Sequence, residues 1–364
     1  MIDRDRLVNA FCGLVRIDSP SDEEEDMARH LTQRLEGLGF KVERDAHGNV
    51  IASEDGDNPL LLSAHMDTVE PGRGIKPLLS GERIHTDGTT ILGGDCKAGI
   101  AAILESLEAI QHDQANRIPV QVVITRGEEI GLVGAQNLDF SLIVAKEGVV
   151  FDGSGPVSKV TIASPTHIRF DVRVTGRAAH AGVEPEKGIS AIKIASEIIA
   201  QLPQGRIDEE TTFNVGTIAG GMVRNAVPES TSFSGEFRSR NAETLELMQN
   251  QILDTVEAAR RRYPEADTHE ELESQFQMYS LTEDAQIVTR VTGAIATLGM
   301  TPDLGVSGGG SDANIFNLRG TPSVVVGIGT RDMHTTREHV DVGDLVDAAR
   351  FCYALLTQQE SLRE

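Results

Sequence analysis

The sequence has 364 residues, 39% of them hydrophobic, with 33 basic against 56 acidic side chains and a formal charge of −23. That length exceeds one ordinary core and predicts about two domains, while the acidic balance excludes nucleic acid and an anionic membrane surface as partners and fits a solvated, soluble exterior. No apolar run is long enough to cross a bilayer, the opening "MIDRDRLVNAFCGLV" lacks the apolar stretch of a signal peptide, and Cys12, Cys96 and Cys352 form no CxxC pair, so a cytoplasmic protein without a disulfide framework or a thiolate zinc site is expected.

In chain order, "SPSDEEEDMARHLTQRLEGLGF" has apolar Met27, Leu31, Leu35 and Leu38 at helical intervals. Ser21 and Glu24 have capping-box spacing, the acidic run Asp22 to Asp26 suits the positive end of the helix, and Gly39 is its expected stop. "KVERDAHGNVIAS" and "NPLLLSAHMD" read as strands, "CKAGIAAILESLEAI" as a buried helix, and "IPVQVVIT" and "EGVVFD" as strands again. Continuous apolar strands alternating with helices predict an α/β fold, its mostly parallel sheet covered on both faces.

From Thr166 the pattern changes. "THIRFDVRVTG" alternates like a half-exposed strand, "GISAIKIASEIIAQL" is an amphipathic helix, and "TTFNVGTIAGG" and "ESTSFSGEFRSRN" are strands. "AETLELMQNQILDTVEAARRRYP" is a long helix and "DTHEELESQFQMYSL" a last strand. The order βαββαβ is that of a ferredoxin-like unit. "AQIVTRVTGAIATLG", "PSVVVGIG" and "HVDVGDLVDAARFCYALLTQQ" then restore the first rhythm. Residues 166–278 are therefore expected as an insert in a domain made of 1–165 and 279–364.

Ligands of parallel sheets gather at the carboxyl ends of the strands, and several metal-binding side chains fall there. His65 and Asp67 follow "LLLSA", Asp95 follows the glycines of "ILGGDCKAG", Glu128 and Glu129 follow "VVITRG", Asp152 ends "VVFD", and His334 and His339 follow "PSVVVGIG". Each has a plainer reading alone: His65 as a hydrogen-bonded strand-end histidine, Asp95 as an N-cap. Together, two imidazoles and several carboxylates suit a zinc-type site.

The motifs "SAHMDTV", "TTILGGDCKAG", "GEEIGLVGA", "VVFDG", "GRAAHAGVEPEKGISAI", "NAVPE", "GEFRSR", "GGGSDAN" and "MHTTREHV" occur in this order over nearly the whole chain. In them the chain resembles the two-zinc peptidase superfamily of peptidase T, carboxypeptidase G and the aminoacylases, most closely its peptidase T-like (tripeptide aminopeptidase-like) branch. The resemblance implies a zinc-peptidase catalytic domain with a mostly parallel mixed sheet flanked by helices, and an inserted ferredoxin-like lid and dimerisation domain. It also implies two Zn2+ ions, with Co2+ or Mn2+ as substitutes: His65 and Asp152 hold one, Glu129 and His334 the other, and Asp95 bridges them. By the same likeness Glu128 is the general base, Asp67 steadies His65, His180 in "GRAAHAG" meets the developing oxyanion, and Asn225 and Arg238 touch substrate. The substrate implied is a short peptide that loses its N-terminal residue, and the assembly implied is a homodimer through the lid.

His180 also reads as a turn histidine, Arg238 as an exposed strand charge, and "SGGGSDAN" as a turn into a helix capped by Ser311 or Asp312. Cys96 stands where peptidase T-like relatives carry a second aspartate after the bridging one; its expected state is a buried thiol. His30, His47, His85, His112, His167 and His269 match no motif. Aspartate at 152 resembles the aminopeptidase branches more than the carboxypeptidase ones. The rival readings are an N-acyl amino acid deacylase or carboxypeptidase of the same superfamily, which a blocked amine discriminates, and a non-catalytic metal-binding protein, which has no need of Glu128.

Overall fold

The structure is a computed structural model describing residues 1–357. Gln358 and Gln359, expected at the end of the last helix, lie outside the described residues. The chain forms two compact units, one of Met1–Ser164 with the chain from Tyr279 onward, the other of Pro165–Met278.

Helix α1 (Arg4–Val15) starts at Asp3, whose carboxylate accepts from the N–H groups of Asp5 and Arg6. Helix α2 (Glu25–Gly37) has no side-chain cap. Ser21 does not form the expected capping box; its hydroxyl donates to Asp67 Oδ2 at 2.7 Å. Gly39 at φ 91° ends the helix as predicted, because the left-handed region carries no steric cost for glycine. Strands β1 (Lys41–Arg44) and β2 (Val50–Ser53) form a hairpin, followed by β3 (Leu60–His65), the short β4 (Leu78–Ser80) and β5 (Arg83–His85), α3 (Gly94–Asp113), β6 (Val120–Thr125), α4 (Val133–Gln136), β7 (Gly148–Ser154) and β8 (Lys159–Ser164).

The insert contains β9 (Thr166–Thr175), β10 (Ala179–His180), α5 (Ala191–Ile199), β11 (Gly205–Arg206), β12 (Thr211–Gly220), β13 (Ala226–Val227), β14 (Ser230–Ser239), α6 (Ala242–Arg262) and β15 (Asp267–Phe276). Its main sheet runs β11-β12-β14-β9-β15, antiparallel throughout. This is the ferredoxin-like order, with β11 added at one edge. Burial alternates strictly along β9, and its inward Phe170, Val172 and Val174 pack with Phe213, Phe233 and Phe237 beneath α5 and α6.

After the insert come β16 (Tyr279–Ser280), α7 (Gln286–Thr297), β17 (Asp303–Val306), α8 (Asp312–Leu318), β18 (Ser323–Arg331), β19 (His339–Asp341) and α9 (Val342–Thr357). Among the described residues the large sheet has twelve strands, and its middle, β6-β3-β7-β18, is parallel. Antiparallel pairs form the margins. Strands β3 and β6 are buried at every residue, as a sheet covered on both faces requires. Leu60, Leu62 and Ala64 enter the apolar cluster that includes α1, α3 and α9. Leu61, Val123, Val150 and Val325 enter a second one with Phe316 of α8. The parallel strands therefore deliver their carboxyl ends to one edge, where His65 ends β3 and Asp152 lies near the end of β7.

One ion-pair group in the insert bears on acid stability. Glu236 takes two contacts from Arg238, at 3.1 and 3.2 Å, and its Oε2 lies 2.8 Å from His167 Nε2, close enough for an ion pair though off the line of a hydrogen bond. His167 does most to hold the Glu236 carboxyl down to about 2, burial opposing and Arg238 assisting. Since the folded value lies below the ordinary 4.5, this stabilisation is whole above that pH and is lost as the pH falls towards 2. Partial exposure keeps it under about 1 kcal/mol. Glu236→Gln is expected to lower the insert's thermal midpoint by no more than about 4 °C at pH 7. The difference should vanish near pH 2, and calorimetry across that range checks it.

Candidate metal centre

His65 emerges from β3 with both ring nitrogens engaged. Nδ1 lies 3.1 Å from the Asp67 carbonyl oxygen and 3.2 Å from Asp67 Oδ1. Nε2 faces Asp95 Oδ1 at 3.2 Å and Asp152 Oδ1 at 3.5 Å. A ring anchored this way through one nitrogen presents the other in a fixed direction. Burial opposes a charge on His65, but Cys96, Asp152, Asp67 and Asp95 outweigh it and raise the ring well above the ordinary histidine value.

Asp95 precedes the regular turns of α3 with non-helical φ −79° and ψ 107°, and its carboxylate oxygens face His65 and His334 rather than helix N–H groups. Its loop fits because its glycines lack side chains. A Cβ on Gly94 would meet Thr330 and Val340 at 2.8 Å, and one on Gly99 would meet the Phe151 carbonyl oxygen at 2.1 Å. The buried Glu338 carboxylate accepts from the backbone N–H groups of Leu92, Gly93 and Asp95 at 2.8, 2.8 and 3.0 Å. Thus held, Asp95 turns Oδ1 to His65 and Oδ2 to His334 Nε2, the latter at 3.0 Å. Burial would raise the Asp95 carboxyl, but the two histidines pull it well below the usual range.

Glu128 and Glu129 lie in the loop beyond β6, not on the strand itself. Asp67 accepts from both backbone N–H groups, Glu128 at 3.0 Å and Glu129 at 3.2 Å. One carboxylate therefore orients the His65 ring and shapes the glutamate loop. Glu24 braces the loop from the other side, accepting from Gly127 N at 3.0 Å and Arg126 Nη2 at 2.8 Å. Glu129 Oε2 lies 3.0 Å from His334 Nε2, and its Oε1 is buried with no hydrogen-bond partner. Burial, with the Asp152 charge next, pushes the Glu128 carboxyl well above its ordinary value.

His334, between β18 and β19, has φ 62°, a conformation that costs a non-glycine residue energy and tends to mark functional positions. Asp95 and Glu129 push its ring up to about 10. Of the two histidines in this stretch, His334 joins the cluster, whereas His339 Nδ1 faces the Arg337 carbonyl at 3.1 Å.

Among the described residues the ligand atoms form three overlapping groups: His65, Asp95, Cys96 and Asp152; Asp95, Glu129 and His334; and His65, Glu128 and Glu129; within each, all lie within 4.8 Å of one another. Two imidazoles face four clustered carboxylates, Asp95, Glu128, Glu129 and Asp152. Burial pushes Asp152 up to about 7, His65 opposing and Asp95 adding to the rise. Buried like charges this close call for a cation. The unpartnered Glu129 Oε1 and the Asp95 oxygens turned to two histidines fit a pair of them. Cys96 is buried, and its thiol donates to the Phe151 carbonyl at 2.6 Å.

In the insert, the pairing of β10 with β13 sets His180 opposite Ala226, and Ala181 N donates to the Asn225 carbonyl at 3.0 Å. His180 and Asn225 thus share one exposed corner. Arg238, expected to touch substrate, is engaged with Glu236. Ser311, not Asp312, is the N-cap of α8, with Asn314 Oδ1 accepting from its N–H at 3.0 Å. Sequence reasoning missed Glu338 and Glu24. The signal for Glu338 was an acid four residues after His334 in a motif already singled out; Glu24 lay hidden in an acidic run.

Comparison with known proteins finds relatives along the whole chain. The peptidase dimerisation domain matches residues 162–264, and peptidase family M28 matches residues 49–141. The chain is 37% identical to the uncharacterised protein YqjE of Bacillus subtilis (strain 168), over 98% of this chain and 99% of that one. Among solved structures, a tripeptidase from Staphylococcus aureus subsp. aureus Mu50 superposes with a TM-score of 0.94 at 32% identity, covering 98% of both chains. Aminopeptidase PepT from Bacillus cereus ATCC 10987 superposes with a TM-score of 0.90 at 36% identity, again covering 98% of both. With such likeness along its whole length, and with a buried carboxylate and histidine cluster at the strand ends, the chain belongs to the M20 family of metallopeptidases, in its peptidase T-like branch.

Proposed function

We propose that the protein is a two-metal aminopeptidase that removes the N-terminal residue from tripeptides and other short peptides. The observation carrying this reading is the pair of ligand groups joined through Asp95, one with His65 and Asp152 and the other with Glu129 and His334, while Glu128 stands outside both and closes a third group with His65 and Glu129. His65 and Asp152 would hold one divalent cation and Glu129 and His334 the other, with an Asp95 oxygen available to each. Imidazole and carboxylate donors suit zinc, with cobalt or manganese as substitutes. When bound, the cations polarise the scissile carbonyl and acidify the attacking water. Glu128 takes the proton on a carboxylate oxygen and returns it to the leaving amine. Asp67 keeps the His65 ring and the glutamate loop in register, and Glu338 keeps Asp95 in place. His180 and Asn225 offer the insert's hydrogen-bond donors to peptide oxygens. The likeness to a tripeptidase and to PepT supports the choice of substrate.

The insert also supports a homodimer. Among the described residues, β11 pairs with β12 only at Thr212 and Phe213, Ile207 N donates to the Thr211 carbonyl and Val215 N to Gln204, and no strand pairs with that edge beyond Val215. Nearby Ile218, Met222 and Val223 are exposed. An open edge with apolar neighbours suits pairing with a second copy.

Zinc-loaded protein given one tripeptide in free and N-acetylated forms tests the reaction. Release of the N-terminal residue from the free form alone is expected, whereas cleavage of the acetylated form alone would point to a deacylase or carboxypeptidase. Metal removal tests the centre. Dialysis against a chelator is expected to abolish turnover and lower the melting midpoint by roughly 5–10 °C, with recovery complete at two equivalents of zinc per chain.

A further inference from the structure

A cavity of about 280 Å³ is lined by Asp152 and by Met333, the neighbour of His334. Strand register gives its layout. Val325 of β18 pairs with Val150 of β7 on one side and with Thr161 of β8 on the other. Residues two apart share a face, so Asp152, Val325, Thr161 and Lys159 lie on one face of the sheet. Lys159 therefore stands two strands from the metal cluster on the cavity's side. Among the described residues it is the cavity's one cationic residue, is itself exposed, and has no ion-pair partner. Tyr279 lines the same cavity, is 7% exposed, and its hydroxyl has no hydrogen-bond partner. An exposed cation without an ion pair and a buried, unsatisfied hydroxyl in a cavity beginning at the reacting centre suit an anion, and a peptide carries its anions as carboxylates.

We propose that this cavity is a subsite for a carboxylate of the peptide, paired by Lys159 and the Tyr279 hydroxyl, so that the enzyme prefers peptides presenting an acid there. The assignment rests on the aminopeptidase reading. Two carboxylates share this chemistry: the side chain of an acidic N-terminal residue and the C-terminus of a short peptide.

The test compares Glu-Gly-Gly with Gln-Gly-Gly, and each with its C-terminal amide, on zinc-loaded wild type, Lys159→Met and Lys159→Arg. The expected result is a kcat/KM ratio for acid over amide on the order of 10- to 100-fold in wild type, retained by Lys159→Arg and reduced to about one by Lys159→Met. A ratio that follows the side chain identifies the N-terminal residue as the occupant, and one that follows the terminal amide identifies the C-terminus. Equal rates for acid and amide, or a ratio indifferent to Lys159→Met, overturn the proposal. Binding of the cleavage products reads Lys159 without turnover. Calorimetry should find glutamate tighter than glutamine, or diglycine tighter than its amide, in wild type but not in Lys159→Met, and the absence of both differences overturns the subsite. If no peptide is cleaved yet these differences hold, the aminopeptidase reading fails and the carboxylate subsite stands.

Discussion

Glu128→Ala is expected to bind two cations per chain and yet hydrolyse tripeptides about 10²–10⁴ times more slowly than wild type. The two groups that share Asp95 contain no Glu128, whereas a third joins it to His65 and Glu129, so the variant's cation content separates a base from a ligand. Glu128 is also a half-buried residue whose carboxyl is raised by burial first and the neighbouring Asp152 charge next, so its removal relieves both and leaves the folded protein at least as stable. Glu128→Gln keeps the shape, loses the base and should be equally slow. Single-turnover rates alongside metal analysis read the outcome: a fall of only a few-fold places the base elsewhere, and a loss of bound metal makes Glu128 a ligand.

The second large effect is expected at a residue that need touch neither metal nor peptide. Glu338→Ala leaves the N–H groups of Leu92, Gly93 and Asp95 without their acceptor in a buried loop. Each orphaned donor costs about 1–3 kcal/mol, so a total loss of roughly 3–6 kcal/mol is expected after some rearrangement. Asp95 loses its anchor at the same time, and cation affinity should fall about 10- to 100-fold. Glu338→Gln keeps an acceptor oxygen and should fall between the two. Urea denaturation of the metal-free protein reads the first effect, zinc titration the second; unchanged affinity with lowered stability would confine Glu338 to the fold.

The contrast between these two glutamates shows what the sequence could reveal. Glu128 stands beside a glycine after a buried strand, where the fold rules place ligands. Glu338 and Glu24 act by accepting backbone N–H groups of chain segments remote in sequence, and nothing local distinguishes such an acid from a solvated one. Ser21 shows the same limit, since its spacing to Glu24 matched a cap while its hydroxyl found Asp67. Strands β3, β6, β7 and β18 and helices α3, α6 and α9 were legible because burial imposes period on composition. The three-residue strands β4 and β5 are too short to carry a period.

The chain leaves the first unit at Ser164 and re-enters it at Tyr279, and these two residues are antiparallel partners in the β8–β16 pair. Partners of that kind sit about 5 Å apart, a gap that one tight turn spans. In evolutionary terms the ferredoxin-like insert is a cassette plugged between adjacent rungs of the large sheet. An insert joined through two neighbouring strand ends leaves the pairing of the large sheet uninterrupted.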